Sequence, residues 1–111
     1  MIQRLSEYRV MWVMVFFDLP TTTKKEKNAY MLFKKSLQKD GFTMFQFSIY
    51  VRNCASMENA NVHIKRVKGF LPEAGNVCIM CITDKQFGDI ELFIGKRPAP
   101  INAPGQQLEL F

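Results

Sequence analysis

Eight apolar residues in succession, Val10 to Phe17, stop at a carboxylate, Asp18. Val10, Val13, Val15, Phe16 and Phe17 favour extended backbone. Both alternating faces of the run are apolar, so residues 9–18 are predicted to form a central strand covered on both sides. Thr23-Lys24-Lys25-Glu26 reads as a capping box, with Thr23 as N-cap and Glu26 at the third helical position. The helix that follows, over 24–39, places Tyr30, Phe33 and Leu37 on one stripe. Lys35 and Lys39 lie opposite that stripe, with Lys27 and Lys34 flanking it. Asp40-Gly41 closes the helix as a C-cap should.

Phe42 to Arg52 then reads as extended chain. Thr43, Phe45, Phe47, Ile49 and Val51 face one way, and Phe42, Met44, Gln46, Ser48 and Tyr50 the other. A second helix is expected over 57–71, capped by Ser56, with Ala60, Ile64, Val67 and Leu71 as its stripe. Pro72 to Gly75 breaks it. Asn76 to Thr83 is another apolar strand, and Thr83-Asp84-Lys85-Gln86 resembles a second capping box opening one short helical turn. Ile90 to Ile94 is expected as a short strand.

Two β-α-β passes in this order predict an α+β fold, a ferredoxin-like βαββαβ sandwich over residues 1–95 with both helices on one face. The other face is apolar too, along 10–17 and 77–82. Exposed apolar surface of that extent is unusual in a monomer. Its simplest cover is a second copy, giving a closed, two-fold, face-to-face homodimer. Residues 96–111 change character. Pro98, Pro100 and Pro104 forbid a helix, and Gln106 to Phe111 alternates, with Leu108 and Leu110 on one side and Glu109 and Phe111 on the other. This extra C-terminal strand either covers an edge of its own sheet or adds to the other protomer or to another protein, with Leu108, Leu110 and Phe111 as contact residues.

Charge changes the picture more than length does. The chain of 111 residues carries a net +5, but unevenly. Residues 1–70 hold 12 Lys/Arg against 5 Asp/Glu, a balance of +7, and residues 71–111 hold 3 against 5, a balance of −2. A basic body is either ordinary solubilising charge or a first sign of nucleic-acid binding. Lys24, Lys25, Lys27, Lys34, Lys35 and Lys39 spread along one helix. They form a solvated face or, joined by Arg52, Lys65, Arg66 and Lys68, a stripe for phosphates. No aromatic-rich signature of single-stranded RNA readers accompanies them, so backbone contact to duplex DNA is the expected mode. No apolar run reaches the roughly 20 residues of a membrane span. The polar N-terminus is unlike a secretory signal, and three cysteines fit a reducing compartment. The expected location is cytoplasmic.

Most candidate chemistry dissolves on inspection. Cys78 and Cys81 are three apart in a strand and point to opposite faces, so they neither chelate nor pair. His63 is the only histidine. No nucleophile partners it, and a surface or core-edge position is expected. There is no Gly-rich phosphate loop and no hydrolase or zinc-protease motif. Asp18 is left. It is either a turn acid before Leu19-Pro20 or a ligand for Mg²⁺, for which one carboxylate is a poor site. A two-fold dimer supplies two copies near the axis, which together could hold a cation.

The apolar strand ending in Asp18-Leu19-Pro20, the lysine-rich helix closing on Gly41-Phe42, and Gln46-Phe47-Ser48-Ile49-Tyr50-Val51 together resemble the Cas-two (Cas2) family. This is the smaller core spacer-acquisition protein of CRISPR antiviral defence. The likeness covers roughly residues 9–95 and is strongest to the version found with type II loci. It implies a ferredoxin-like homodimer that bridges two dimers of the Cas-one (Cas1) integrase and holds duplex prespacer DNA for integration into the CRISPR array. It also implies an alternative, a metal-dependent endonuclease of RNA or DNA with Asp18 as Mg²⁺ ligand and catalytic carboxylate. Many members use their C-terminal segment for an intersubunit or Cas1 contact. Two departures stand out. Where many members carry a glutamate just beyond the Ser48-Ile49-Tyr50 triplet, this chain runs through Val51 to Arg52. A basic residue after the first loop, often Arg, is represented by Lys24, Lys25 and Lys27. A small metabolite sensor is a third reading, but no Gly-rich ligand loop favours it.

Overall fold

The computed structural model describes residues 10–101. Strand β1 (Met11–Asp18) leads into helix α1 (Lys24–Lys39), strands β2 (Thr43–Gln46) and β3 (Ile49–Cys54), helix α2 (Met57–Lys68), strand β4 (Asn76–Thr83), the short helix α3 (Asp84–Gly88), and strands β5 (Leu92–Ile94) and β6 (Arg97–Ala99). The main sheet has the order β2-β3-β1-β4, antiparallel throughout. That is the order of a ferredoxin-like α+β sandwich, and β1 is central in it as its two apolar faces require.

Local chemistry sets the helix limits. Thr23 Oγ1 accepts from the Glu26 backbone N–H at 3.1 Å, and Glu26 Oε1 accepts from the Thr23 N–H at 2.9 Å. The reciprocal pair starts α1 where the sequence places it. Gly41 at φ +90 ends it. The second capping box is equally complete: the Thr83 N–H reaches Gln86 Oε1 at 2.9 Å and the Gln86 N–H reaches Thr83 Oγ1 at 3.1 Å.

Both helices pack on one sheet face. Val13, Val15 and Phe17 of β1 meet Phe33 and Leu37 of α1 and Ala60 and Val67 of α2. Phe33 lies edge-on to Phe17, ring centroids 5.2 Å apart. The opposite face holds a second cluster of Trp12, Met14, Phe45, Val51 and Phe87. The expectation named a second copy as the simplest cover for that face, and part of the cover comes from the chain itself. Phe87 of α3 stacks on Trp12 with centroids 3.9 Å apart and planes 6° apart. The Trp12 indole N–H donates to Asp84 Oδ1 at 2.7 Å. The chain thus seals half of this face itself. Among the described residues the half toward Asp18 stays bare: Met80 is 45% exposed and Phe16 only half-buried.

Three further expectations are corrected. Phe42–Arg52 is not one extended segment but a hairpin, turning at Phe47-Ser48. The register shifts between Met44 and Gln46 and sets Gln46 opposite Ile49, so a bulge reorients one polar residue. Helix α2 ends at Lys68 because Gly69 caps it, and Leu71 is exposed. Its buried stripe is Ala60, His63 and Val67. Strand β5 starts at Leu92 and pairs with β6 around Gly95, which sits at φ +62. The expected terminal strand with Leu108, Leu110 and Phe111 lies outside the described residues.

Candidate nucleic-acid interface

Asp18 is the last residue of β1, exposed, and paired across the sheet with Asn76. Strand alternation puts it on the same face as Met14 and Phe16, the bare face away from the helices. Its corner is held by backbone. A Cβ on Gly75, at φ +97, would come within 2.8 Å of the Asp18 carbonyl oxygen and 2.7 Å of Leu19 Cδ2. Only glycine fits there. The Phe17 N–H donates to the Ser48 carbonyl at 3.0 Å and ties the β2–β3 turn to the same corner. Among the described residues the Asp18 carboxylate joins no hydrogen bond or ion pair.

Two shallow concavities flank Asp18. One, of about 500 Å³, is lined by Asp18, Lys27, Tyr30, Met31, Phe47 and Ser48 among others. The other, of about 380 Å³, lies over the bare sheet with Phe16, Asn76 and Cys78. Among the described residues no three of His, Cys, Asp and Glu come together. Mg²⁺ requires near-octahedral oxygen coordination, so one chain's donors do not fit the ion. Burial pushes the Cys54 and Cys81 thiols above their ordinary range, which disfavours the thiolate form.

The expected basic stripe divides on inspection. Lys24, Lys25, Lys27, Lys35 and Lys39 stand exposed along α1, and Lys65, Arg66 and Lys68 along the last turn of α2. Lys34 is half-buried, its ammonium 5.0 Å from the Tyr30 ring centroid and 5.6 Å from that of Phe47. Arg52 turns inward instead. Its Nε donates to the Asp40 carbonyl at 2.9 Å and its Nη1 to the Asn53 carbonyl at 2.8 Å, which spends it on the C-cap of α1.

The residue that sequence reasoning missed is His63. It is 4% exposed, and its Nδ1 lies 2.8 Å from Asp40 Oδ2, while Arg66 Nη1 donates to Asp40 Oδ1 at 2.9 Å. Burial works against the charged form of Asp40, but the hydrogen bonds from His63 and Arg66 outweigh it and hold its carboxyl below its ordinary range. This cluster pins the C-terminus of α1 to α2. The partners lie 23 residues apart, and the one available signal was a lone histidine on the buried stripe.

The described geometry is that of a basic helical flank beside a half-bare sheet face with an unpartnered carboxylate at its edge. Comparison with known proteins agrees on one family. A family model described as "CRISPR associated protein Cas2" matches residues 11–90. The chain is 59% identical over 108 residues to "CRISPR-associated endoribonuclease Cas2" of Flavobacterium psychrophilum, covering 97% of this chain and 94% of that protein. A protein of the same description from Parvibaculum lavamentivorans is 50% identical over 101 residues, covering 91% of this chain and 100% of the relative. One from Ligilactobacillus salivarius is 40% identical over 87 residues, covering 78% of this chain and 86% of its own.

Proposed function

The chain belongs to the Cas2 family of CRISPR-associated proteins, and from that premise we propose that it works as a dimeric adaptor in spacer acquisition. Two copies close over their bare sheet faces, bridge Cas1 integrase dimers and hold duplex prespacer DNA along the lysines of α1. The observation that carries this reading is the unequal cover of the second sheet face. Its Trp12 half is sealed by α3, while Phe16, Cys78 and Met80 are left as an apolar surface next to Asp18. A second copy would remove that surface from water. Lysines on the α1 flank supply the charge for phosphates without base readout. The binding of duplex is expected to weaken steeply with salt as counterions are released.

The test is an integration assay with purified Cas1, a short duplex prespacer and a CRISPR-array plasmid. Wild type is compared with Asp18→Ala after both are shown to be dimers by light scattering. Integration by Asp18→Ala supports a scaffold in which the acid is dispensable. A monomer at micromolar concentration, or duplex binding that is flat from low to high salt, overturns the reading.

A second reading is a Mg²⁺-dependent endonuclease of RNA or DNA. It is favoured by the exposed, unpartnered Asp18 and by relatives described as endoribonucleases. Since one chain does not supply a Mg²⁺ site, this reading requires the Asp18 carboxylates of two copies to share the ion. Chelator-sensitive cleavage that disappears in Asp18→Asn supports it. Cleavage that survives the substitution points to a contaminating nuclease.

A further inference from the structure

Phe47 is the most exposed large apolar side chain among the described residues, at 73%. It sits at the tip of the two-residue β2–β3 turn, where a polar residue would serve the turn better. Across the adjoining concavity, Met31 of α1 is 49% exposed. These two apolar groups line the same hollow as Asp18, Lys27 and Ser48. The Lys34 ammonium stands 5.6 Å from the Phe47 ring centroid. A ring that is mostly exposed, with the Lys34 ammonium against it and Lys27 in the lining of the same hollow, matches the two halves of a nucleotide. A base has a π-face, and its phosphate carries the charge that the lysines lack.

We propose that the hollow between α1 and the β2–β3 turn is a subsite for one unpaired nucleotide, its base stacked on Phe47 and its phosphate held by Lys27. The volume, about 500 Å³, lies in the range of small-ligand sites. Among the described residues Asp18 is the only carboxylate in the lining, and like charge would turn a phosphate away from it toward Lys27. A hollow of this size takes one nucleotide, so the subsite reads the end of a duplex or one flipped nucleotide rather than a long single strand. The turn's backbone is held by the Phe17 N–H bond to the Ser48 carbonyl, which anchors the segment that carries Phe47. The inference rests on the reading that this chain binds nucleic acid, but not on bridging or cleavage.

The test uses full-length protein and a short duplex ending in one protruding 2-aminopurine nucleotide. The same duplex with an abasic residue at that place, and a blunt one, are the controls, each made with a deoxyribo and a ribo overhang. Wild type is expected to bind the overhang with base roughly tenfold more tightly than the abasic one, the scale of one base–aromatic stack, and to quench its fluorescence. Phe47→Ala removes both the preference and the quench and leaves blunt-duplex affinity unchanged. Phe47→Tyr restores them. Preference in only one sugar series assigns the subsite to that nucleic acid. Preference retained in Phe47→Ala overturns the subsite while duplex binding stands. So does loss of self-association in Phe47→Ala with oligonucleotide binding unchanged, which would assign the patch to a second copy. Absence of binding to every oligonucleotide overturns the subsite together with the nucleic-acid reading.

Discussion

Two aspartates bracket helix α1, and they have opposite surroundings. Asp40, at its C-terminus, is enclosed and receives His63 and Arg66 on its two carboxylate oxygens. Asp18, just before it, is exposed and joins no hydrogen bond or ion pair among the described residues. The first is saturated by its own chain and serves stability. The second is held in place by backbone, through Gly75 and the β1–β4 ladder, while its side chain is left open. A carboxylate that the fold positions but does not neutralise is available to something outside the chain.

The largest expected effect breaks the Asp40 side. Asp40→Ala leaves His63 buried without its partner, and a loss of about 2–3 kcal/mol in urea unfolding is expected. Asp18→Ala should stay within about 0.5 kcal/mol of wild type in the same experiment, as exposed substitutions do. Equal losses would erase the contrast.

Acid sharpens it. The Asp40 carboxyl is held below its ordinary value of 3.8, so its contribution is fully present above that value and is lost as pH falls through the lowered one. Wild type should lose stability over that acid window. Asp40→Asn should be flatter there. Thermal melts across the range check this.

Smaller still is Arg66→Ala. The Arg66 side chain is 60% exposed, so water and salt screen its pair with Asp40, and about 0.5 kcal/mol is expected at low salt. High salt should shrink that difference further. The smallest stability effects belong to the α1 lysines. Replacing Lys24, Lys25 or Lys35 by Ala should leave urea midpoints nearly unchanged. Each lysine that meets a phosphate should lower the salt slope of duplex binding by about one. Arg52→Ala should behave oppositely, costing stability and sparing the slope, because its guanidinium is committed to the Asp40 and Asn53 carbonyls.

Much of this was legible in the chain, for reasons that differ by residue. Helix α1 and the turn of α3 were readable because a capping box is local: both partners lie within four positions. The place of Asp18 followed from eight apolar residues ending in an acid. The hairpin was not readable, since Phe47-Ser48 lacks the Gly or Asn that marks a tight turn. The end of α2 was misread because Leu71 continues the spacing from Val67, although Gly69 between them was the stronger signal. Arg52 shares its strand parity with Tyr50, which is buried at 1% exposure. Its inward turn was therefore written in the alternation, but its basic charge suggested solvent. The His63–Asp40 pair joins two elements distant in sequence, and no local pattern announces it. Nor does the sequence show that Phe87 folds back over Trp12.

That last contact has a practical consequence. Trp12 is the sole tryptophan, 7% exposed, with its ring against Phe87 and its N–H bound to Asp84. A spectral shift of its emission to the red therefore signals that water has reached the indole, as it does when α3 lifts from the sheet. The molecule carries an optical gauge on the face away from α1 and α2, one that can be read without attaching a dye.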